Sequence, residues 1–246
     1  MRSALFPLVL AACVISLPAD GQARLESVPL VAPFSTAVPG PLPPGWEPVL
    51  ITASKKPTQY RLVDDAGTVV LHARAEAAAS GVGYHVHFDL TSAPIVEWRW
   101  KVSHLVDDAD NAIASREDSP ARIVLEFEGD RSRLALRDRA FFALADTIAG
   151  RDVPYATLMY VWANRAPVGA VIPNPNTGRV RMIVAASGPG GVGAWQTVRR
   201  NAVDDFRRAF GEEPGKLVAV GVMTDTDNTG ATVDAWYGDI RFLPAP

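Results

Sequence analysis

The sequence predicts a mainly β chain folded as one antiparallel β-sandwich, of jelly-roll or concanavalin-like type, with two short inserted helices. Three observations carry that expectation. The 246 residues include 20 Pro and 19 Gly, which cut the chain into short apolar segments suited to strands and turns. Glu97-Trp98-Arg99-Trp100-Lys101-Val102 alternates polar with apolar side chains, the period of a strand with one buried face. Only two stretches take up a helical period, and no strand-helix-strand rhythm calls for a parallel sheet.

Taken in order, residues 1–23 read as a secretory signal: Arg2, an apolar run from Ala4 to Leu17, then the small-residue exit Gly21-Gln22-Ala23. Pro7 and Pro18 leave that run too short and too broken for a membrane anchor. Leu10-Ala11-Ala12-Cys13 offers the alternative of a lipoprotein anchored through Cys13. Either route places the protein in the periplasm or outside the cell. Cys13 is the sole cysteine, so the folded part draws its stability from its core and not from disulfides. Residues 24–45 are a Pro-rich extended lead, and residues 46–246 form a single domain.

From Trp46 the chain runs through short apolar segments, including Thr58 to Val63, Val69 to Ala75, Ile95 to Val102 and Ala121 to Phe127. Asp64-Asp65-Ala66-Gly67 is a hairpin turn. Residues 132–149 form the first helix, capped by Asp130 or Ser132, with Leu134, Phe141, Leu144, Ala145 and Ile148 on its apolar face. Residues 201–210 form the second, capped by Asn201 and stopped by Gly211 and Pro214, with Val203, Phe206 and Phe210 on one side. The chain closes as a hairpin, Leu217 to Val222 and Val233 to Phe242, whose tip is dense in Asp, Asn, Thr and Gly.

Hydrophobic residues at 48% and charged residues at 21% are ordinary for a globular protein, and the net charge of -3 gives no basic surplus for a nucleic acid. The tip holds the chemistry. Asp225, Asp227, Asp234 and Asp239 crowd there with Arg241 as the only basic side chain on that stretch, which calls for a cation or a polar ligand unless the loop stays in water. Calcium through Asp225, Asp227 and Asn228 is one reading, and the loop departs from an EF-hand at Thr229 and Trp236. The other is a loop whose Asp and Asn side chains bond their own backbone. His85 and His87 share a strand face but have no third ligand nearby. Trp162 and Trp195, at strand-loop junctions, and a row of Tyr237, Asp239 and Arg241 suit a hydroxyl-rich ligand, whereas Trp98 and Trp100 belong to the core.

Phe34 with Gly45-Trp46, Trp98-Arg99-Trp100-Lys101-Val102, Ser119-Pro120-Ala121-Arg122, Tyr160-Val161-Trp162, Arg200-Asn201 with Asp205, Met223-Thr224-Asp225-Thr226-Asp227-Asn228-Thr229 and Tyr237-Gly238-Asp239-Ile240 together resemble the bacterial domain of unknown function 3047 family. The resemblance runs from Phe34 to Phe242 and implies an exported bacterial protein with one domain. It supplies no mechanism.

The residues themselves show no nucleophile elbow, phosphate loop or His-Glu-x-x-His motif. The leading expectation is therefore a non-catalytic module that binds a glycan or polysaccharide through Arg99, Trp162, Trp195, Asp225, Asp227, Asn228, Tyr237, Asp239 and Arg241. A hydrolase or lyase using Arg99, Glu126, Asp225, Asp227 or Asp239 is the alternative, and a structural envelope protein a third.

Overall fold

The computed structural model describes residues 30–149, 153–174 and 177–245. The signal segment and Cys13 lie outside them. Two sheets face each other. The larger runs β1 (Trp46–Leu50), β4 (Ala79–Phe88), β11 (Leu217–Asp225), β6 (Ser119–Phe127), β7 (Ala156–Ala163), β9 (Val180–Ser187) and β8 (Val171–Pro173). The smaller runs β10 (Gln196–Asn201), β5 (Ile95–Val102), β12 (Thr232–Tyr237), β3 (Thr68–Glu76) and β2 (Gln59–Asp65), with β13 (Arg241–Leu243) also paired to β5. Every pairing is antiparallel except β7 with β9. The mainly β sandwich is thus as the sequence predicts, with that one parallel ladder as an exception.

Alternation dictates the interface between the sheets. On β5, Trp98 and Trp100 turn inward and meet Tyr160 and Trp162 of β7. Trp98 stacks on Tyr160 with centroids 5.0 Å apart, and Trp100 lies 5.9 Å from Trp162. Leu71, Ile123, Leu125, Val220, Val222 and Tyr237 complete this layer, all but fully buried. Residues 30–45 pack along its edge: Phe34 is buried against Trp46 at 4.6 Å, the Trp46 indole donates to the Ala32 carbonyl, and Gly40 pairs with Leu62.

The local signals largely act as written. Ala66 and Gly67 both take positive φ in the two-residue turn between β2 and β3, and Asp64 accepts from the Gly67 amide. Helix α2 (Ala202–Phe210) is capped by Asn201, which accepts from the Val203 and Asp204 amides, and ends at left-handed Gly211. Helix α1 (Leu136–Ala149) starts later than its sequence suggests, because Asp130 caps a separate turn over Arg131–Arg133. Leu134 therefore precedes α1, Leu144 faces solvent, and Phe142 is the buried contact.

The closing hairpin is not one. Strand β11 already pairs on both edges, with β4 and β6, so β12 has no edge to join and crosses to the other sheet. A second departure comes at the end of β12. Tyr237 stands opposite Trp100 and Arg241 opposite Glu97, so four steps on one strand match three on its partner. The extra residue is a bulge, and it inverts the facing of the residues beyond it. Tyr237, Ile240 and Phe242 point into the core, while Trp236, Asp239 and Arg241 lie on the outer side, partly or fully exposed. The row Tyr237, Asp239, Arg241 expected from simple alternation is broken for this reason.

Glycines at the centre of the larger sheet are held by close backbone. A Cβ at Gly81 meets the Val222 carbonyl oxygen at 2.8 Å, and one at Gly221 meets the Val82 carbonyl oxygen at 2.8 Å. Elsewhere Gly→Ala at a compatible site stabilises by about 0.4–1 kcal/mol through the unfolded chain. Here Gly81→Ala and Gly221→Ala should each destabilise by about 1–3 kcal/mol, as overpacking does. Urea denaturation reads the sign directly, and a gain in stability would contradict the close approach.

Candidate functional site

Strand β5 supplies the polar half of its alternation to the outer face of the smaller sheet. Glu97, Arg99 and Lys101 point outward there. Lys101 lies opposite Trp236 on β12, and Trp195, immediately before β10, flanks it on the other side. The Lys101 ammonium sits 4.6 Å from the Trp236 ring and 5.2 Å from the Trp195 ring, while the Arg99 guanidinium sits 4.5 Å from Trp195. Asp65, at the end of β2, ties this patch together. It accepts from the Lys101 ammonium at 3.0 Å and from the Trp195 indole at 2.6 Å. Those bonds hold its carboxyl below the usual carboxylate range, the Lys101 bond first. On the far side of Trp236, His72 packs its ring at 5.2 Å and bonds Asp234 at 2.8 Å.

Beside this aromatic patch the bulge opens a cleft of about 370 Å³, lined by Ser35, Thr68, Glu97, Arg99, Asp239 and Arg241, among others. Asp239 accepts from both the amide and the hydroxyl of Ser35, at 3.0 and 2.5 Å. Glu97 is paired with Arg199 at 3.0 Å. Gly238, next to Asp239, is packed against Arg99, since a Cβ there meets the Arg99 Cγ at 2.5 Å.

The acidic tip is a different place with a different purpose. Arg122, buried on β6, reaches Asp225 with two prongs, Nε to Oδ1 at 3.1 Å and Nη2 to Oδ2 at 2.9 Å. Its remaining nitrogen pairs with Glu117 at 3.1 Å. Asp118 accepts four bonds, from the amides of Asn228 and Thr229 and from the Asn228 and Thr229 side chains. Asp227 is met by Lys55 at 2.7 Å. Burial pushes the Asp225 carboxyl up to about 7, Arg122 pulls against that rise, and the neighbouring Asp118 charge adds to it.

Of the residues singled out from the sequence, the structure brings Arg99, Trp195, Asp239 and Arg241 together on the outer face of the smaller sheet. It sends two others inside. Trp162 is fully buried with its indole bonded to the Gly188 carbonyl, and Tyr237 is fully buried with its hydroxyl bonded to Thr224 and to the Met223 carbonyl. Neither presents a face to a ligand. Asp225, Asp227 and Asn228 stay at the separate acidic tip. His85 and His87 are exposed, with His87 paired to Glu128 at 3.2 Å. Sequence reasoning missed Asp65, Lys101 and Trp236, although the β5 alternation that put Lys101 opposite the two indoles was visible. Asp118 it missed for lack of any local signal.

A larger cavity of about 570 Å³ lies on the outer face of the seven-stranded sheet, floored by Gly81, Gly83, Gly221 and Val124 and overhung by Phe142. Glu126 lines it. The carboxylates considered for hydrolysis are therefore scattered: Glu126 in this groove, Asp239 in the cleft of the opposite sheet, Asp225 and Asp227 at the tip.

For calcium, one oxygen from each of Asp118, Asp225 and Asp227 lies within 4.8 Å of the others. Three carboxylates converge, short of the 6 to 8 oxygens calcium takes, and most of their oxygens are committed to Arg122, Lys55 and nearby amides; of these, the Asp227 Oδ1 is buried with no partner. Melting in excess calcium and in chelator should accordingly coincide. A bound ion at a hundred times its dissociation constant stabilises by about 2.7 kcal/mol, so a rise of that order in calcium would show the cation displacing Lys55.

The Arg122 fork gives a second expectation. Arg122→Met leaves the Asp225 carboxyl buried without its cation, at a cost of about 3–5 kcal/mol if it stays charged. The folded-state value of Asp225 lies above the unfolded 3.8, so stability from its protonated form is complete below about 4 and drains as pH rises through the folded value. The variant should thus lose more stability at pH 8 than at pH 5 in urea titrations. Equal losses at both would contradict an orphaned carboxyl.

Comparison with solved structures finds distant likenesses. The xyloglucanase domain of NopAA, a type three effector from Sinorhizobium fredii, in complex with cellobiose, shares 7% identity over 83% of this chain and 94% of its own, with a TM-score of 0.44. The family 30 carbohydrate-binding module of the cellulosomal cellulase Cel9D-Cel44B of Clostridium thermocellum shares 11% over 87% and 94%, with a TM-score of 0.37. The carbohydrate recognition domain of Emp47p shares 12% over 88% and 95%, with a TM-score of 0.42. No curated protein matches the chain. Residues 44–241 match a family described as a protein of unknown function, and the chain accordingly belongs to that family, DUF3047.

Proposed function

We propose that this protein binds a glycan on the outer face of its six-stranded sheet and does not cleave it. The observation that supports this reading is the pairing of two partly exposed indoles, Trp195 and Trp236, across Lys101, directly beside a cleft rich in hydrogen-bonding groups. An indole gives a sugar ring an apolar platform, and the threonines, carboxylates and guanidiniums alongside give its hydroxyls partners. Asp65 fixes the platform before any ligand arrives, through its bonds to Lys101 and the Trp195 indole, which lowers the entropic cost of binding. Export through the segment at residues 1–23 belongs to the same reading. Among the described residues no helix is long and apolar enough to cross a membrane.

Two tryptophan variants separate platform from core. At roughly 25 cal/mol per Å² of apolar surface, Trp195→Ala should weaken glycan retention on the order of tenfold or more while leaving the melting temperature nearly unchanged. Trp162→Ala should instead cost about 3–5 kcal/mol of stability, because its ring is sealed between the sheets. Retention of bacterial and plant polysaccharides in affinity gels measures the first, and product release from the same polysaccharides is followed alongside. Release of oligosaccharides by the wild type would reject the binding module and turn attention to Glu126 in the larger groove. Undiminished retention by Trp195→Ala would remove this face as the site.

A further inference from the structure

We infer that the ligand of this face is an acidic glycan, one carrying uronate carboxylates, seated with its charge between Arg99 and Arg241. The inference rests on the glycan-binding reading and adds the substrate class. Its basis is an imbalance in how the cleft's charges are satisfied. Both carboxylates that line it are already engaged, Glu97 by Arg199 and Asp239 by the Ser35 amide and hydroxyl. Both guanidiniums that line it are not: among the described residues neither Arg99 nor Arg241 forms an ion pair, and neither donates a side-chain hydrogen bond. Arg99 rests over the Trp195 ring and touches Asp65 through its charge alone, with no bond. A neutral sugar needs no charged partner, whereas here both carboxylates already accept bonds from the protein and neither guanidinium donates one.

Placement supports the same ligand. Arg241 stands opposite Glu97 and Arg99 is two residues further along β5, so the two guanidiniums are diagonal neighbours with backbones roughly 7–8 Å apart. A carboxylate between them can take a fork from either side, the planar geometry in which arginine surpasses lysine. The ring that bears it would then lie toward Trp195, over which Arg99 already rests. Around the cleft and platform four cations, Arg99, Lys101, Arg199 and Arg241, meet three carboxylates, Asp65, Glu97 and Asp239. The face is locally positive on a chain whose net charge is -3.

The test compares polygalacturonate, the same polymer after methyl esterification, and neutral xyloglucan, in affinity gels and titration calorimetry with the full mature chain. Wild type should bind polygalacturonate, lose about tenfold or more on esterification, and weaken with added salt. Arg99→Gln and Arg241→Gln should each lose about tenfold for polygalacturonate, while Arg165→Gln, an exposed charge away from this face, should not. Gly238→Ala should reproduce part of the Arg99→Gln loss by pushing the Arg99 side chain aside. Equal binding of polymer and ester, or equal losses in all three arginine variants, would overturn the uronate assignment. Binding of xyloglucan that Trp195→Ala abolishes, without preference for polygalacturonate, would reject this inference and leave the glycan platform standing; retention of none of the three would reject both.

Discussion

The contact between Trp98 and Trp100 on one sheet and Tyr160 and Trp162 on the other is the constraint on which the rest of the molecule depends. Four large rings fill the gap between the sheets, and each is fixed on its strand by the two-residue alternation. Once Trp98 and Trp100 face inward, Glu97, Arg99 and Lys101 must face outward. The core therefore decides the chemistry of the outer face. It also divides the tryptophans: 98, 100 and 162 become packing, and 195 and 236 are left at the surface for other uses.

Much of this is legible in the chain. The alternation of residues 97–102, the two-residue turn at Ala66-Gly67, and the Asn201 cap with its Gly211 stop act locally, so a local reading finds them. Much of what it does not find has one physical origin, partners supplied from far away in sequence. The acidic run from Asp225 to Asp239 looks starved of cations because its partners are Arg122, Lys55, Arg74 and the Ser35 amide, each more than a hundred residues distant. The crossing of β12 to the second sheet is hidden for the same reason, since only the pairing of β11 with β4 and β6 denies it an edge.

The bulge after Tyr237 is the most consequential thing the sequence conceals. Tyr237, just before it, keeps the regular register and stays in the core, where its hydroxyl bonds the Thr224 hydroxyl and the Met223 carbonyl; the single extra residue then turns Arg241 to the outer side. The same irregularity opens the cleft next to the indoles. The platform comes from the regular pairing before the break and the cleft from the break itself, which is why the predicted row of Tyr237, Asp239 and Arg241 contains two outward residues and one buried one. Trp162 fails for a simpler reason. Its position near a loop suggested exposure, but β7 is central in its sheet and the ring faces the opposite layer.

The bond between Ser35 and Asp239 joins positions 204 residues apart, near the two ends of the described chain. During synthesis from the N-terminus, Ser35 is made 204 residues ahead of Asp239. The cleft therefore gains its lip only after the residues between them have been made, and the entropy of closing a loop grows only logarithmically with its length. The aromatic core can assemble without it, as its strands are complete by Tyr237. Order of translation thus separates the aromatic core from the lip of the cleft.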